Sequence, residues 1–292
     1  MREYCAYRHF AGELRSSAPG LIVMFTAYFD DSGTDRNSDI AVAACYVSAK
    51  RGWDDFVESW DCARWEEGFG SHAFHMSDFV APPGQGKKPW CDWDSDKKNH
   101  VYGRLAKVIN DNKRVGIAVA VPKAIWDAVP ERIHRHYGRE HYTFAVRMCL
   151  NRIITWREKS MITLPVRYIF DWEMQKTQKR EEITRIFELI GKPQNHEVAG
   201  LLGLEPQGYG FEHKEEFRPL QAADILAWQM RSHMRKIWPL GHDDESICHP
   251  GFRLLRQDQE MDLGFFTKEQ VDKFVVDFDA LDKITPFPVL YD

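Results

Sequence analysis

Three segments place carboxylates where apolar sequence would bury them. Residues 21–29 read LIVMFTAYF, and Asp30, Asp31, Ser32 and Gly33 follow at once. A second apolar run, PVRYIFD, ends in Asp171, with Glu173 two residues on. Asp224 lies inside the apolar stretch PLQAADILAW, one helical turn after Gln221. An unpaired buried carboxylate is expensive, so three of them on core elements call for a common partner. A divalent cation is the commonest one. Mg2+ or Mn2+ takes oxygen ligands, and a pair of such ions can activate water and stabilise a leaving oxygen in phosphodiester cleavage. Asp30, Asp171 and Asp224 are therefore the candidate catalytic and metal-binding residues, expected to converge at one end of a sheet.

Each carboxylate also has a plainer reading. Side chains alternate along a strand, so only one of Asp30 and Asp31 can join a given site. The other caps the turn at Ser32–Gly33, and Asp-Ser-Gly would equally suit two turn formers. Asp171 could be a solvated strand end. Asp224 could pair with Arg218 or Arg231, both within helical reach. Supporting candidates are Asp31, Ser32, Glu173, Gln221 and His75. His72 and His75 flank Phe74 in SHAFHMSDF, which suggests a transition-metal pair, a proton-transfer group beside the carboxylates, or ordinary loop histidines. Residues 131–142 (ERIHRHYGREHY), with Lys97, Lys98, Arg104, Lys107, Lys113 and Arg114, could form a phosphate-contacting rim or solvated helix faces.

The elements that must position these groups follow from periodicity. The 21–29 run is a strand covered on both faces, and IAVAACYVS is its hairpin partner. Helices are expected over 51–67, 95–112 with Ser95 as N-cap, 137–158, 177–190 and 219–236. RVGIAVAVP and PVRYIFD are strands. HAFHMSDF reads as irregular or extended, and EVAGLLGLEPQGYGFEH holds at most one or two short strands. Beyond 236 one amphipathic stretch covers 267–283. A hairpin followed by strands alternating with helices predicts an α/β class with a mixed sheet.

The chain has 292 residues, 43% hydrophobic and 13% aromatic, enough for a sizeable core. A net charge of −5 argues against attachment to nucleic acid by bulk charge, though a local basic groove stays open. Six scattered cysteines without a CxxC pair fit reduced thiols. No apolar run approaches the roughly 20 residues that span a bilayer, so no membrane partner and a cytoplasmic location are expected. Residues 1–20 show no periodicity and are expected outside the core, with Met24 an alternative start.

YFDDSGT and PLQAADILAW together resemble the two signature blocks of the family called domain of unknown function 3800, with FDWE as the acidic strand end between them. The resemblance covers roughly residues 22–236. It departs at Asp31, where the family usually has Glu. The family is similar to the ribonuclease H superfamily, whose members cut or rearrange nucleic acid with carboxylate-held metals. The resemblance implies a ribonuclease H-like mixed β-sheet with an antiparallel N-terminal hairpin, flanked by helices, over 21–236. The 237–292 segment is then an acidic extension packing on that core. It assigns Asp30, Asp171 and Asp224 as ligands of Mg2+ or Mn2+, Gln221 as part of the late motif, and DNA or RNA as substrate. Service in phage defence or mobile elements would fit. Two other functions stand beside this one: a non-catalytic nucleic-acid-binding or regulatory module with the same fold, and a small phosphoester or nucleotide hydrolase.

Overall fold

Six strands form one mixed sheet in the order β5-β4-β1-β2-β3-β6. They are β1 (Phe25–Ser32), β2 (Ile40–Ala49), β3 (Val115–Pro122), β4 (Val166–Asp171), β5 (Tyr209–Glu212) and β6 (Met261–Phe265). The computed structural model describes residues 24–82, 84–172, 177–205, 208–240, 247–257 and 260–282. Strand β2 is antiparallel to both of its neighbours, β1 and β3, whereas β4 runs parallel to β1, β5 to β4 and β6 to β3.

The apolar runs are continuous because helices cover both faces of the sheet. Phe25, Ala27 and Phe29 of β1 share one core with Cys45 and Val47, Ile117 and Val119, and Tyr168 and Phe170. That face is covered by α6 (His141–Lys159) and α7 (Thr177–Ile190), through Phe144, Cys149, Ile153, Ile183 and Phe187. The alternate residues Val42, Ala44, Tyr46, Ala118 and Ala120 face a second core. Its cover is α1 (Lys50–Glu67), α3 (Ser95–Asn112) and α9 (Arg218–Ile237). Helix α9 packs on β1, β2 and β3. Its Ala222 and Ala227 meet Ala44, Ala118 and Ala120 in the same cluster. Small residues on both sides allow a close approach, and this draws Asp224 toward the sheet.

Several boundaries differ from the sequence reading. The acidic residues do not follow β1; they belong to it. Asp30, Asp31 and Ser32 pair with Ala44, Ala43 and Val42 of β2, so the ladder continues through the carboxylates. The N-cap of α3 is Asp94, whose Oδ1 accepts the Lys97 amide at 2.8 Å, in place of Ser95. The helix expected over 137–158 is α6, which starts at His141; two short helices that the sequence did not announce, α4 (Lys123–Asp127) and α5 (Glu131–Tyr137), precede it, the second ending at Gly138. The 76–79 segment of HAFHMSDF is a short helix, α2 (Met76–Phe79), and 196–202 forms α8 (His196–Leu202) before β5. Strand β6 was not visible in the sequence; between it and α9 lies α10 (Pro250–Arg256), and α11 (Lys268–Asp282) follows. Cys45, Cys91, Cys149 and Cys248 are free thiols. No helix among the described residues is long and apolar enough to cross a membrane. Residues 1–20 and Glu173 lie outside the described residues.

Candidate carboxylate site

Register brings the first two carboxylates together. Phe29 of β1 lies opposite Phe170 of β4 in the parallel ladder, so Asp30 and Asp171 follow side by side on adjacent strands. Phe29 and Phe170 point into the α6 core. Alternation therefore turns Asp30 and Asp171 to the α9 face. Both are buried, with 1% relative exposure each.

A lysine absent from the sequence reading holds them. Lys214 Nζ lies 2.8 Å from Asp30 Oδ2 and 2.8 Å from Asp171 Oδ2, and all three side chains are at most 7% exposed. The two carboxylate oxygens are thus no further apart than twice that contact distance. Asp30 Oδ1 accepts the Asp31 amide at 2.8 Å. Burial pushes the Asp30 carboxyl well above its ordinary range. Lys214 pulls it down, while the like charges of Asp224, Asp171 and Asp31 push it further up. Burial works against the charged ammonium of Lys214, but Asp30, Asp224 and Asp171 more than offset it, and the ammonium stays protonated. One ammonium thus serves two buried carboxyl groups.

Asp224 stands beside this pair. Its Oδ2 accepts the Met76 amide at 2.7 Å, and its charge acts on both Asp30 and Lys214. It is half-buried, on α9. Of its two arginine alternatives, Arg218 is committed elsewhere, with Nε 2.9 Å from Asp61 Oδ1. Arg231 feels Asp35, Asp224 and Asp31 together. No group of three or more His, Cys, Asp or Glu side chains among the described residues is drawn into a cluster that could hold a metal ion. Asp30 and Asp171 are joined through Lys214, and Asp224 is held by a backbone amide.

Gln221 fixes the frame around these groups. It is fully buried. Its Oε1 accepts from Trp60 Nε1 and from the Phe74 amide, each at 3.1 Å. Its Nε2 donates to the Lys214 carbonyl at 2.7 Å. Gln221 and Asp224, one turn apart, therefore pin the 74–76 segment to α9, and Gln221 also pins the turn carrying Lys214. His75 lies in the pinned segment, its Nε2 4.0 Å from Glu215 Oε1. His72 is exposed, and its carbonyl accepts from Arg64 Nη2. The two histidines are not brought into a shared site.

Asp31 points to the opposite face, where its Oδ2 lies 3.3 Å from Lys179 Nζ and accepts from the Thr34 hydroxyl. Ser32 is at the edge of burial, on the Asp30 side of β1. The glycine of Asp-Ser-Gly is required by geometry. Gly33 has φ +70°, and a Cβ there would fall 2.1 Å from the Ile40 carbonyl oxygen and 2.6 Å from Arg231 Cδ. Gly33→Ala is expected to cost about 2–3 kcal/mol, from left-handed strain plus a backbone collision. Urea unfolding measures this; a change under about 0.5 kcal/mol would show that the turn accommodates a side chain freely.

The basic segments are largely committed to local partners. Lys97, His100 and Arg104 surround Glu67. Burial would raise the Glu67 carboxyl, but hydrogen bonds from Lys97 and Arg104 hold it down at about 2. Lys107 pairs with Asp111, Arg132 with Asp279, Arg139 with Glu131 and His141 with Asp127. Lys98 donates to the Ala81 carbonyl and Lys113 to the Leu255 carbonyl. These contacts are those of structural and solvated helix faces.

Lys214 escaped the sequence reading because it sits in a charged stretch, FEHKEEF, without periodicity. A topological signal existed. Strand β5 runs parallel to β4 with Glu212 opposite Asp171, so the chain leaving β5 emerges beside Asp171. Lys214 is the first cationic ammonium it can offer there. Compared with protein-family models, with curated proteins and with solved structures, the chain matches none.

Proposed function

We propose that this chain is a metal-dependent nuclease, or a related phosphoryl-transfer enzyme acting on nucleic acid, built on a ribonuclease H-like sheet. The observation that carries the reading is the buried pair Asp30 and Asp171, on neighbouring parallel strands, sharing one cation. Structural carboxylates seldom accept full burial in pairs, and perturbed, desolvated acids cluster at functional sites. The antiparallel hairpin β1-β2 in a mixed sheet flanked by helices agrees with what the resemblance to the domain of unknown function 3800 family implies.

The donor set suits a hard divalent ion: carboxylate oxygens, with an ammonium already occupying a cation position between two of them. Asp30 and Asp171, with Asp224, would hold Mg2+ or Mn2+. When bound, the ion supplies Lewis-acid polarisation of a phosphoryl oxygen and a more acidic water. The chain's own residues prepare the place. Gln221 fixes the α9 frame, the Met76 amide orients Asp224, and the aromatic layer of Trp60 and Phe74 excludes water from beneath. Arg231, whose charge reaches Asp224, offers positive charge to a phosphate.

The test is cleavage of single- and double-stranded DNA and RNA in Mg2+ or Mn2+, with and without chelator, for the wild type and Asp171→Asn. Cutting should require the ion and fall more than about 100-fold in the variant, as expected when a catalytic charge is lost, with circular dichroism unchanged. If no substrate is cut and no divalent ion binds, the reading fails and the non-catalytic binding or regulatory module replaces it. The small-phosphoester alternative gains nothing from the cavity of about 210 Å3 bordered by Tyr137, Arg147, Ile186, Leu189 and Val198, which has no carboxylate in its lining.

A further inference from the structure

Lys214 has a place that two different cations could claim. Its nitrogen touches Asp30 and Asp171 at equal distances of 2.8 Å. A divalent ion bound by the same oxygens would sit about 2.0–2.6 Å from them. Both cations cannot use those oxygens together, since they would be nearly in contact in a site sealed from water. The backbone under Lys214 is fixed. The carbonyl of Lys214 is held by Gln221 Nε2, and the His213 carbonyl accepts from the Glu216 and Phe217 amides, each at 2.9 Å. The freedom left is in the four-carbon side chain, which can swing without unfolding the turn.

We infer that the Lys214 ammonium is a resident counter-ion of the site, and that a divalent ion binds Asp30 and Asp171 only by displacing it. This rests on the metal reading above and adds a regulation to it. The lysine keeps the carboxylates compensated while no ion is bound, so the fold does not depend on metal. It also lowers metal affinity by the free energy of breaking two charge-assisted hydrogen bonds. The site therefore loads only when the divalent ion, alone or with a bound anion that can take over the displaced ammonium, outcompetes the lysine.

Two measurements test this without an activity assay. In the wild type, amine-reactive labelling of Lys214, followed by mass spectrometry of its peptide, should rise several-fold on adding Mn2+, while Lys113 labelling stays constant. In Lys214→Met, which keeps the volume and removes the charge, Mn2+ affinity by calorimetry should rise at least 10-fold, and Mn2+ should raise its melting temperature more than that of the wild type. Should Lys214→Met fail to fold without metal, the labelling decides. If the wild type binds Mn2+ with Lys214 labelling and Lys214→Met affinity both unchanged, the displacement is wrong and the metal reading stands. If neither protein binds Mn2+ at millimolar concentration, both fall.

Discussion

Replacing Gln221 with Leu is expected to destabilise the protein by about 3–5 kcal/mol, a large part of the ~5–15 kcal/mol available to a typical domain. The side chain is fully buried, and it satisfies two donors and one acceptor from three separate segments. Leucine fills the volume but leaves Trp60 Nε1, the Phe74 amide and the Lys214 carbonyl without these partners. Each buried polar group so abandoned costs roughly 1–3 kcal/mol. The substitution also releases the turn carrying Lys214, so the Asp30–Lys214–Asp171 contacts should loosen with it. Urea unfolding gives the stability change, and hydrogen exchange at Phe74 reports the local one. A loss below about 1 kcal/mol would mean that water or rearranged neighbours replace all three bonds, and Gln221 would not be the frame of the site.

What the sequence discloses about this site depends on how local the physics is. Asp30 and Asp171 are legible because an apolar strand must lead into each. Asp224 is legible because alanines and isoleucine surround it on one helix. Gln221 stands out by its spacing from Asp224, though its three partners come from α1, the 72–76 segment and the β5–α9 turn, which no periodicity connects. Lys214 is illegible for the opposite reason. It is one charge in a charged turn, and only the parallel pairing of β5 with β4 shows where that turn ends up. The end of β1 is misread since Asp and Ser favour turns. The alanine-rich β2 nevertheless offers three further ladder partners, and the sheet continues. Strand β6 alternates Met261, Leu263 and Phe265 with Asp262 and Gly264, but five residues without a β-branched side chain are too short a pattern to announce it. Helix α5 goes unread because its seven residues, ERIHRHY, are mostly charged or imidazole side chains around one buried apolar residue, Ile133.

Asp224→Asn is expected to leave the protein as stable as the wild type, or more stable by about 0.5–2 kcal/mol, while removing more than about 99% of any cleavage activity. Asparagine keeps an acceptor oxygen for the Met76 amide, the one hydrogen bond seen at Asp224 Oδ2. What disappears is a negative charge that acts on the buried Asp30 carboxyl. Asp30 is pushed up in part by Asp224, and removing that repulsion favours the compact state. The loss of support for the Lys214 ammonium works the other way, yet Asp30 and Asp171 still hold it at 2.8 Å each. A residue retained at a cost in stability is the signature of a functional charge. The alternative is a structural acid paired with Arg231, and it makes the contrary prediction: stripping the carboxylate would strand a half-buried guanidinium and cost several kcal/mol. Thermal unfolding of Asp224→Asn, Arg231→Gln and the double variant separates the two. Additive, small effects with activity lost in Asp224→Asn support the site. A strong coupling between the two positions, with both single variants destabilised, assigns Asp224 to the fold and leaves only Asp30 and Asp171 to hold an ion.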